Sequence, residues 1–221
     1  MAPAISASHD VVASEQKLTD LVRQIQGADR VAIDTEADSL HSYREKLCLV
    51  QISVPSGVIH SNGGRYGGST ALGMSVDSVC DFIVDPLCNL DLEPLRHAFQ
   101  SREIILHAAD YDLRMLRRGL NFTASKIFDT VVAARLLGIR EFSLGALVKR
   151  FFDVELHKHS QKANWGLRPL PARMLKYAVD DVHYLLPLAA ILEEELERVH
   201  RRDWFRQSCE RAIEWAAAER E

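Results

Sequence analysis

Short apolar runs alternate with stretches of helical periodicity along most of the chain. Residues 31–33, 47–53 and 104–106 are continuous or nearly continuous apolar runs rich in β-branched residues, which predict buried strands. Between these runs, apolar residues recur every three or four positions, as over 18–25, which predicts amphipathic helices. Because strands and helices alternate after a strand-rich start, the pattern predicts an α/β fold with a mixed central sheet flanked by helices.

Capping residues, glycine and proline predict where the helices begin and end. Ser14, Asp129 and Ser143 are expected to cap helices, and Pro187 is expected to bend the longest helix. The predicted helices span residues 14–26, 92–100, 110–119, 131–137, 143–152 and 171–202, followed by a final helix capped by Asp203.

The pattern predicts one domain with short appendages. Residues 1–12 are expected to form a flexible tail, and residues 13–202 a single domain. The last helix, within 203–221, carries enough apolar surface to pack on this domain or on a partner subunit. Residues 58–80 are rich in glycine and are expected to form a long exposed loop.

The first predicted strand runs directly into two acidic residues, Asp34 and Glu36. Side chains alternate across a strand, so both carboxylates leave on the same face, about 7 Å apart along the chain. Neighbouring carboxylates at the end of a buried strand repel each other and lose hydration, and a hard divalent cation relieves both effects. Taken alone, the two acids fit equally well as solvated loop residues or as a helix N-cap.

Further acidic candidates lie on predicted helices. Tyr177 and Asp181 are four residues apart and stack on one helix face, whereas Asp180 is turned away by about 100°. Asp112 falls in the first turn of a helix that follows a strand, and open α/β sheets place their sites at such strand ends. Asp110 competes with Asp112 for this role, but it also fits as the N-cap of the helix.

These acids belong to three motifs that occur in order along the chain. The motifs are Asp34-Thr35-Glu36, the segment from His107 to Leu113 that contains Asp112, and Tyr177-x-x-x-Asp181 followed by Val182-His183-Tyr184-Leu185-Leu186. Lesser matches are residues 46–52, residues 84–87 and Trp165-x-x-Arg168-Pro169-Leu170. Together they resemble the DEDD superfamily of 3′–5′ exonucleases, in the branch with tyrosine in the last motif, and within that branch ribonuclease D. The resemblance covers residues 15–195.

The resemblance implies a ribonuclease H-like fold and two bound divalent cations, Mg²⁺ or Mn²⁺. The implied ligands are Asp34, Glu36, Asp112 and Asp181. Tyr177, neutral at pH 7 with an ordinary pKa near 10, is expected to orient the attacking water. The implied reaction releases nucleoside 5′-monophosphates from RNA 3′ ends, as in the processing of tRNA or other small structured RNA.

Length suggests a difference from longer members of that branch. Longer ribonuclease D proteins carry C-terminal helical domains that help to hold RNA. This chain ends about forty residues after Asp181, so we expect a short form.

Charge restricts where nucleic acid can bind. The formal net charge is −4, so a phosphate-binding surface has to be local, and residues 145–176 carry a local excess of lysine and arginine. Trp165 can stack on a base or pack in the core, and the sequence favours neither. Leu40 and His41, just past the acidic strand, can wedge against the terminal base, although an apolar residue at a strand end is more often part of the core. The residues predicted to contact nucleic acid are Leu40, His41, Lys162, Trp165 and Arg168.

Other functions share parts of this pattern. A DNA exonuclease would use the same chemistry, and contacts to the 2′-hydroxyl, which distinguish the two substrates, are not visible in the sequence. A catalytically silent nucleic-acid-binding module would be favoured by the loss of one acid, but all four are present together with the tyrosine. A scaffold with scattered acids would require the five-residue pattern to be coincidental.

The remaining composition predicts a cytoplasmic protein without a membrane partner. The longest apolar run, 184–192, has nine residues, and the N-terminus lacks the pattern of a signal peptide. The four cysteines form no metal-ligand spacing and are expected to be reduced thiols. The sequence leaves the oligomeric state open.

Overall fold

The computed structural model describes residues 9–39, 45–56, 75–156, 160 and 162–218. Its described strands form one six-stranded mixed sheet in the order β1-β4-β3-β2-β5-β6. The strands are β1 (His9–Val12), β2 (Arg30–Ala37), β3 (Leu47–Pro55), β4 (Val79–Val84), β5 (Glu103–Leu106) and β6 (Ile127–Asp129). Strand β3 is antiparallel to β2 and β4, whereas β2, β5 and β6 are mutually parallel and β1 is parallel to β4.

Helices flank this sheet, which confirms the predicted α/β class. They are α1 (Glu15–Gln26), α2 (Glu93–Phe99), α3 (Asp110–Leu120), α4 (Thr130–Leu136), α5 (Leu144–Phe152), α6 (Ala172–His183), α7 (Leu185–Arg198) and α8 (Arg202–Ala218). Three of the predicted caps are in place, because Ser14, Asp129 and Ser143 each accept a hydrogen bond from a backbone N–H in the first turn of their helix. None of the described helices combines the length and the apolar character needed to cross a membrane.

The helix predicted over 171–202 is wrong in one respect, because it is two helices that meet at Tyr184. Pro187 lies in the first turn of α7 rather than at a bend within one helix. Proline has no N–H to donate and its ring collides with the carbonyl four residues earlier. Here that carbonyl belongs to His183, the last residue of α6, so the chain breaks before the proline.

The predictions for residues 9–12 and for the start of the last helix also differ from the structure. Residues 9–12 are not part of a tail, because β1 pairs with β4 through Val12 opposite Val84 at the sheet edge. Asp203 is not a cap, since α8 begins one residue earlier. Phe205 and Cys209 of α8 are buried in the core of the domain, and α8 packs against α3.

The predicted exposed loop over 58–80 lies mostly outside the described residues. At its described end, a short 3₁₀ turn over Val76–Ser78 leads into β4, whose first two residues, Val79 and Cys80, fall within the range predicted as loop.

Two apolar clusters form the described core. The larger one includes the apolar positions of α1, α2, α3 and most strands. The smaller one lies between α6 and strands β3 and β4, and its buried members are Cys48, Leu49, Ile83, Trp165, Met174, Ala178 and Val179. This smaller cluster fixes α6 against the sheet, so it determines where the side chains of α6 meet those of β2.

Helix α3 approaches β3 closely because Gly119 has no side chain. The helix continues through Leu120 and is capped by Asn121 in the left-handed conformation, so Gly119 does not end it as the sequence predicted. A Cβ atom added to Gly119 would lie 2.5 Å from Leu47 Cδ2 and 2.6 Å from Leu47 Cβ. This glycine therefore sets the distance between α3 and the sheet.

We predict that Gly119→Ala destabilises the protein by about 1–3 kcal/mol, because overpacking against Leu47 outweighs the gain of about 1 kcal/mol in helix propensity. The matched control is Gly27→Ala, since a Cβ there would meet only backbone oxygens at 3.5 and 3.6 Å. Denaturant unfolding of both variants measures the difference. A Gly119→Ala variant at least as stable as the wild type would contradict this interpretation.

Candidate active site

Three carboxylates converge at the carboxyl end of β2. Asp34 and Glu36 lie on one face of β2, and Asp181 of α6 lies over the same face. Each offers one oxygen, and these oxygens lie within 4.8 Å of one another. The structure thus brings together residues separated by almost 150 positions in sequence.

A bulge in the β2–β3 ladder lies next to this cluster. The register shifts between Glu36 and Ala37, so the strand changes direction where the acidic side chains leave it. Two hydrogen bonds between Asp38 and Lys46 close the start of the segment that connects β2 to β3. The Asp38 N–H donates to the Lys46 carbonyl at 3.3 Å, and Asp38 Oδ1 accepts from the Lys46 N–H at 2.6 Å. The bulge and these two hydrogen bonds fix the backbone that carries the Glu36 side chain, and with it the direction of that side chain.

Asp112 is the fourth acid of the site. It lies in the first turn of α3 and is only 5 % exposed. Its Oδ1 accepts hydrogen bonds from the Thr35 backbone N–H at 3.0 Å and from the Thr35 hydroxyl at 2.6 Å. Thr35, between the two acids of β2, therefore connects α3 to the acidic strand. The competing residue, Asp110, is exposed and pairs with Arg114 at 2.7 Å.

The loop that carries the chain from β5 into α3 is held by Asp129. This carboxylate accepts from the backbone N–H groups of Ala108 at 3.1 Å and Ala109 at 2.9 Å, and also caps α4. Ala108 has a φ of 62°, an unfavourable left-handed conformation for a residue with a side chain. The double role of Asp129 therefore fixes the start of α3, and with it Asp112.

On α6, Tyr177 and Asp181 share one face, as their spacing predicted. The Tyr177 hydroxyl interacts with the Asp181 carboxylate, which counteracts part of the rise in the pKa of Asp181. Asp180 points elsewhere and pairs with Lys176 at 3.0 Å. Behind Tyr177, the ring of Trp165 lies with its centroid 6.1 Å from the tyrosine ring.

Burial and nearby charges strongly perturb the pKa values of the four acids. Burial, followed by the charges of Asp181 and Asp112, raises the pKa of Glu36 to about 9. Burial, followed by the charges of the other three acids, raises the pKa of Asp34 well above its ordinary range. Burial also raises the pKa of Asp112 to about 7 and that of Asp181 to about 6. Such shifts mark a site where negative charge is concentrated without compensation.

The donor set fits a hard divalent cation. All the converging atoms are carboxylate oxygens, which Mg²⁺ and Mn²⁺ prefer as ligands. Among the described residues, no lysine or arginine forms an ion pair with Asp34, Glu36, Asp112 or Asp181. The site therefore has the charge and the ligand chemistry for a cation, and no described basic side chain takes its place.

Trp165 is too buried to stack on a base, whereas Arg168 is exposed but paired within the fold, so its contact with nucleic acid stays a prediction. Trp165 is 1 % exposed, so its ring packs in the smaller cluster and cannot stack on a base. Arg168 forms a two-point ion pair with Asp85 and also donates to the carbonyls of Trp165 at 2.8 Å and Cys48 at 2.9 Å. Both residues instead hold the loop before α6 against the sheet, because their partners come from the core and from β3 and β4.

The other predicted nucleic-acid contacts have different outcomes. Lys162 is exposed, and its contact with nucleic acid stays a prediction. Leu40 and His41 lie outside the described residues. In the predicted basic surface, Lys149 pairs with Asp153 at 2.8 Å, and Lys176 also has an acidic partner. Two cations of this surface are therefore paired with acids, and its contact with phosphates stays a prediction.

Some residues that shape the site were not identified from the sequence. Thr35 carries no signal of its own, because alternation places it on the opposite face from its acidic neighbours. The loop contacts of Asp129 involve residues about twenty positions earlier, although its role as a cap was predictable.

Known proteins that are similar to this chain have the fold described above and belong to the class that its motifs predicted. The sequence model of a 3′–5′ exonuclease family matches residues 10–197. Ribonuclease D of Sphingobium indicum is 31% identical over 208 residues, which cover 92% of this chain and 48% of that protein. Exosome complex component 10 of Rattus norvegicus is 34% identical over 179 residues, which cover 80% of this chain and 18% of that protein.

A solved structure shows the same similarity. The catalytic core of RRP6 from Trypanosoma brucei superposes with a TM-score of 0.79 at 26% identity, over 95% of this chain and 52% of that chain. The chain therefore belongs to the 3′–5′ exonuclease family, in its ribonuclease D-like DEDD branch, as the motifs predicted. It spans about half or less of the length of these curated relatives.

The raised pKa values predict that a cation stabilises the fold more strongly as the pH rises. Glu36 has an ordinary pKa of 4.5 and a pKa of about 9 in the folded state, so without a cation its contribution to stability is present below pH 4.5 and is lost as the pH rises towards 9. A cation binds the ionised cluster and offsets this loss. The gain in Tm on replacing a chelator by MnCl₂ should therefore increase between about pH 5 and pH 9.

The control for this prediction is Glu36→Gln, which removes the titrating group and should reduce the dependence on pH. A gain in Tm that stays constant over this pH range in the wild type would be inconsistent with a cation at the carboxylate cluster.

Proposed function

We propose that this chain is a divalent-metal-dependent 3′–5′ exoribonuclease that releases nucleoside 5′-monophosphates from RNA 3′ ends. The observation that carries the proposal is the convergence of Asp34, Glu36 and Asp181, with the buried Asp112 and with Tyr177 beside them. The choice of RNA is supported by the similarity to a ribonuclease D and to an exosome component.

The four acids would hold two cations of the Mg²⁺ or Mn²⁺ class. Asp34, Glu36 and Asp181 would share one site, and Asp112, held by Thr35, would contribute to the second. When bound, such cations stabilise the charge that develops on the phosphate oxygens and make a water molecule more acidic. The contribution of the protein is to hold the carboxylates in place before substrate arrives.

Tyr177 would orient the water that attacks the terminal phosphodiester. Burial, followed by the charge of Asp181, raises the pKa of Tyr177 above its ordinary value of 10, so the hydroxyl stays protonated at neutral pH. With its single proton directed at the Asp181 carboxylate, the hydroxyl oxygen can still accept a hydrogen bond from the attacking water. It is therefore suited to positioning the nucleophile rather than to acting as a strong base.

We predict that Asp34→Asn and Asp112→Asn yield folded proteins whose RNA shortening falls at least about a thousandfold, because each removes a carboxylate of the cation site. The assay follows a 5′-labelled RNA with a free 3′-hydroxyl in Mg²⁺ or Mn²⁺, with a chelator as the blank.

The matched control is Asp110→Asn, an exposed acid on the same helix, which should retain near wild-type activity. A matched single-stranded DNA run in parallel tests the substrate class, and faster shortening of DNA would replace the RNA proposal by a DNA exonuclease. Substantial RNA shortening by Asp34→Asn would reject the proposed site.

We predict that Tyr177→Phe lowers kcat by about a hundredfold, because the ring still packs on Trp165 while the hydroxyl that orients water is lost. The affinity for Mn²⁺ should change little, since Tyr177 is not a proposed ligand. Steady-state kinetics and calorimetric titration with Mn²⁺ measure the two effects, and an unchanged kcat would remove Tyr177 from the mechanism.

A further inference from the structure

A second row of polar side chains crosses the sheet beside the acidic site. Gln51 and Ser53 are alternate residues of β3 and therefore share one face of the sheet. Asp81 of β4 lies opposite Ser53 in the antiparallel ladder, so it lies on the same face. Gln51 and Ser53 have no exposed surface and Asp81 is 3 % exposed. These are unusual residues for the buried face of a sheet.

A fourth polar residue reaches this row from the helical side. His183 is the last residue of α6 and is 6 % exposed. Its Nδ1 donates a hydrogen bond to Asp81 Oδ2 at 2.6 Å. Tyr184, at the junction of α6 and α7, packs edge-on against the His183 ring at 4.8 Å between centroids. This bond therefore attaches the junction of two helices to β4.

The four side chains retain unused hydrogen-bonding capacity. Five of their buried atoms have no hydrogen-bond partner among the described residues, namely both amide atoms of Gln51, Ser53 Oγ, Asp81 Oδ1 and His183 Nε2. Only four other buried side-chain atoms in the described part of the chain share this property. Buried polar atoms are generally satisfied, and internal water with two to four polar partners is the common solution.

This polar compartment, defined by Gln51, Ser53, Asp81 and His183, borders the acidic site on two sides. In the β2–β3 register Gln51 lies opposite Asp34, at a spacing where opposed Cβ atoms are about 5 Å apart. On α6, His183 follows Asp181 by two residues, so any shift of the helix end moves both.

We propose that the polar compartment holds ordered water and positions the cation site, with His183 and Asp81 fixing the end of α6 and Gln51 supporting Asp34. The proposal rests on the proposed function only in assuming that the four acids bind a divalent cation. These four are positioning residues, because none of them belongs to the carboxylate cluster itself. Residues that orient metal ligands typically contribute 10–100-fold to metal affinity or activity.

The test uses Asp81→Asn, His183→Gln and the double variant in the full chain, with Mn²⁺ affinity measured by calorimetry or electron paramagnetic resonance. Each single variant should bind Mn²⁺ about tenfold more weakly. The double variant should be little worse than either single one, because both lose the same hydrogen bond. With RNA, kcat should fall by a similar factor while KM stays within about twofold.

The control is Leu18→Ala, a buried position of α1, which packs against α2. It should lower Tm while leaving Mn²⁺ affinity unchanged. If the Asp81 and His183 variants lose stability like this control but bind Mn²⁺ as tightly as the wild type, the positioning role is wrong. Should they fail to fold, Gln51→Met, which keeps the length of the side chain, should itself weaken Mn²⁺ binding, and unchanged binding would count against the proposal.

Two further outcomes separate this proposal from the proposed function. A wild-type chain that binds Mn²⁺ but shortens no RNA would reject the exoribonuclease, while the affinities of the variants would still decide the positioning role. A high-resolution crystal structure should show water bonded to Gln51, Ser53 and His183. Direct bonds among these side chains, with no water between them, would overturn the hydrated compartment.

Discussion

Repulsion among four carboxyl groups in one cleft is the constraint on which this structure depends. Burial raises the pKa values of all four, and the charges of the other acids raise those of Asp34 and Glu36 further, that of Glu36 to about 9. A raised pKa means that the ionised carboxylate is less stable in the folded protein than in water. Contacts elsewhere in the fold therefore have to offset this cost and hold the cluster together. A cation reverses this balance, because it converts the repulsion among the acids into attraction towards a common centre.

The fold meets this constraint with three attachments that come from distant parts of the chain. Thr35 connects the acidic strand to Asp112 of α3. The ion pair between Arg168 and Asp85 secures the loop before α6, and Trp165 in that loop supports Tyr177 from behind. The polar compartment attaches the other end of α6. The proposed catalytic side chains are thus held by a surrounding set of buried contacts, which is what preorganised electrostatic catalysis requires.

Residues that carry both apolar and polar groups were the hardest to interpret from sequence. Trp165 and Arg168 were recognised as part of a motif, but the sequence did not show which groups they contact within the fold. The aromatic ring is buried in the smaller cluster, and the guanidinium pairs with a carboxylate 83 positions away. A local window of sequence contains neither of these partners. The sheet-edge strand β1 was missed for a similar reason, because its pairing with β4 is non-local.

The sequence by itself determined the alternation of strands and helices and three of the helix caps, because these depend on local periodicity and on hydrogen bonds within one helical turn. Its motifs also named the set of candidate acids, through their resemblance to the DEDD exonucleases. The motifs had already named Asp112 and Asp181 as the ligands, but only the tertiary structure provides the environments that separate them from the neighbouring acids. Asp112 is buried against Thr35 whereas Asp110 faces solvent, and Asp181 joins the cluster whereas Asp180 pairs with Lys176. The physical reason is that the environment of a charge is set by groups that approach from distant segments, and these meet only when the sheet and its helices have packed.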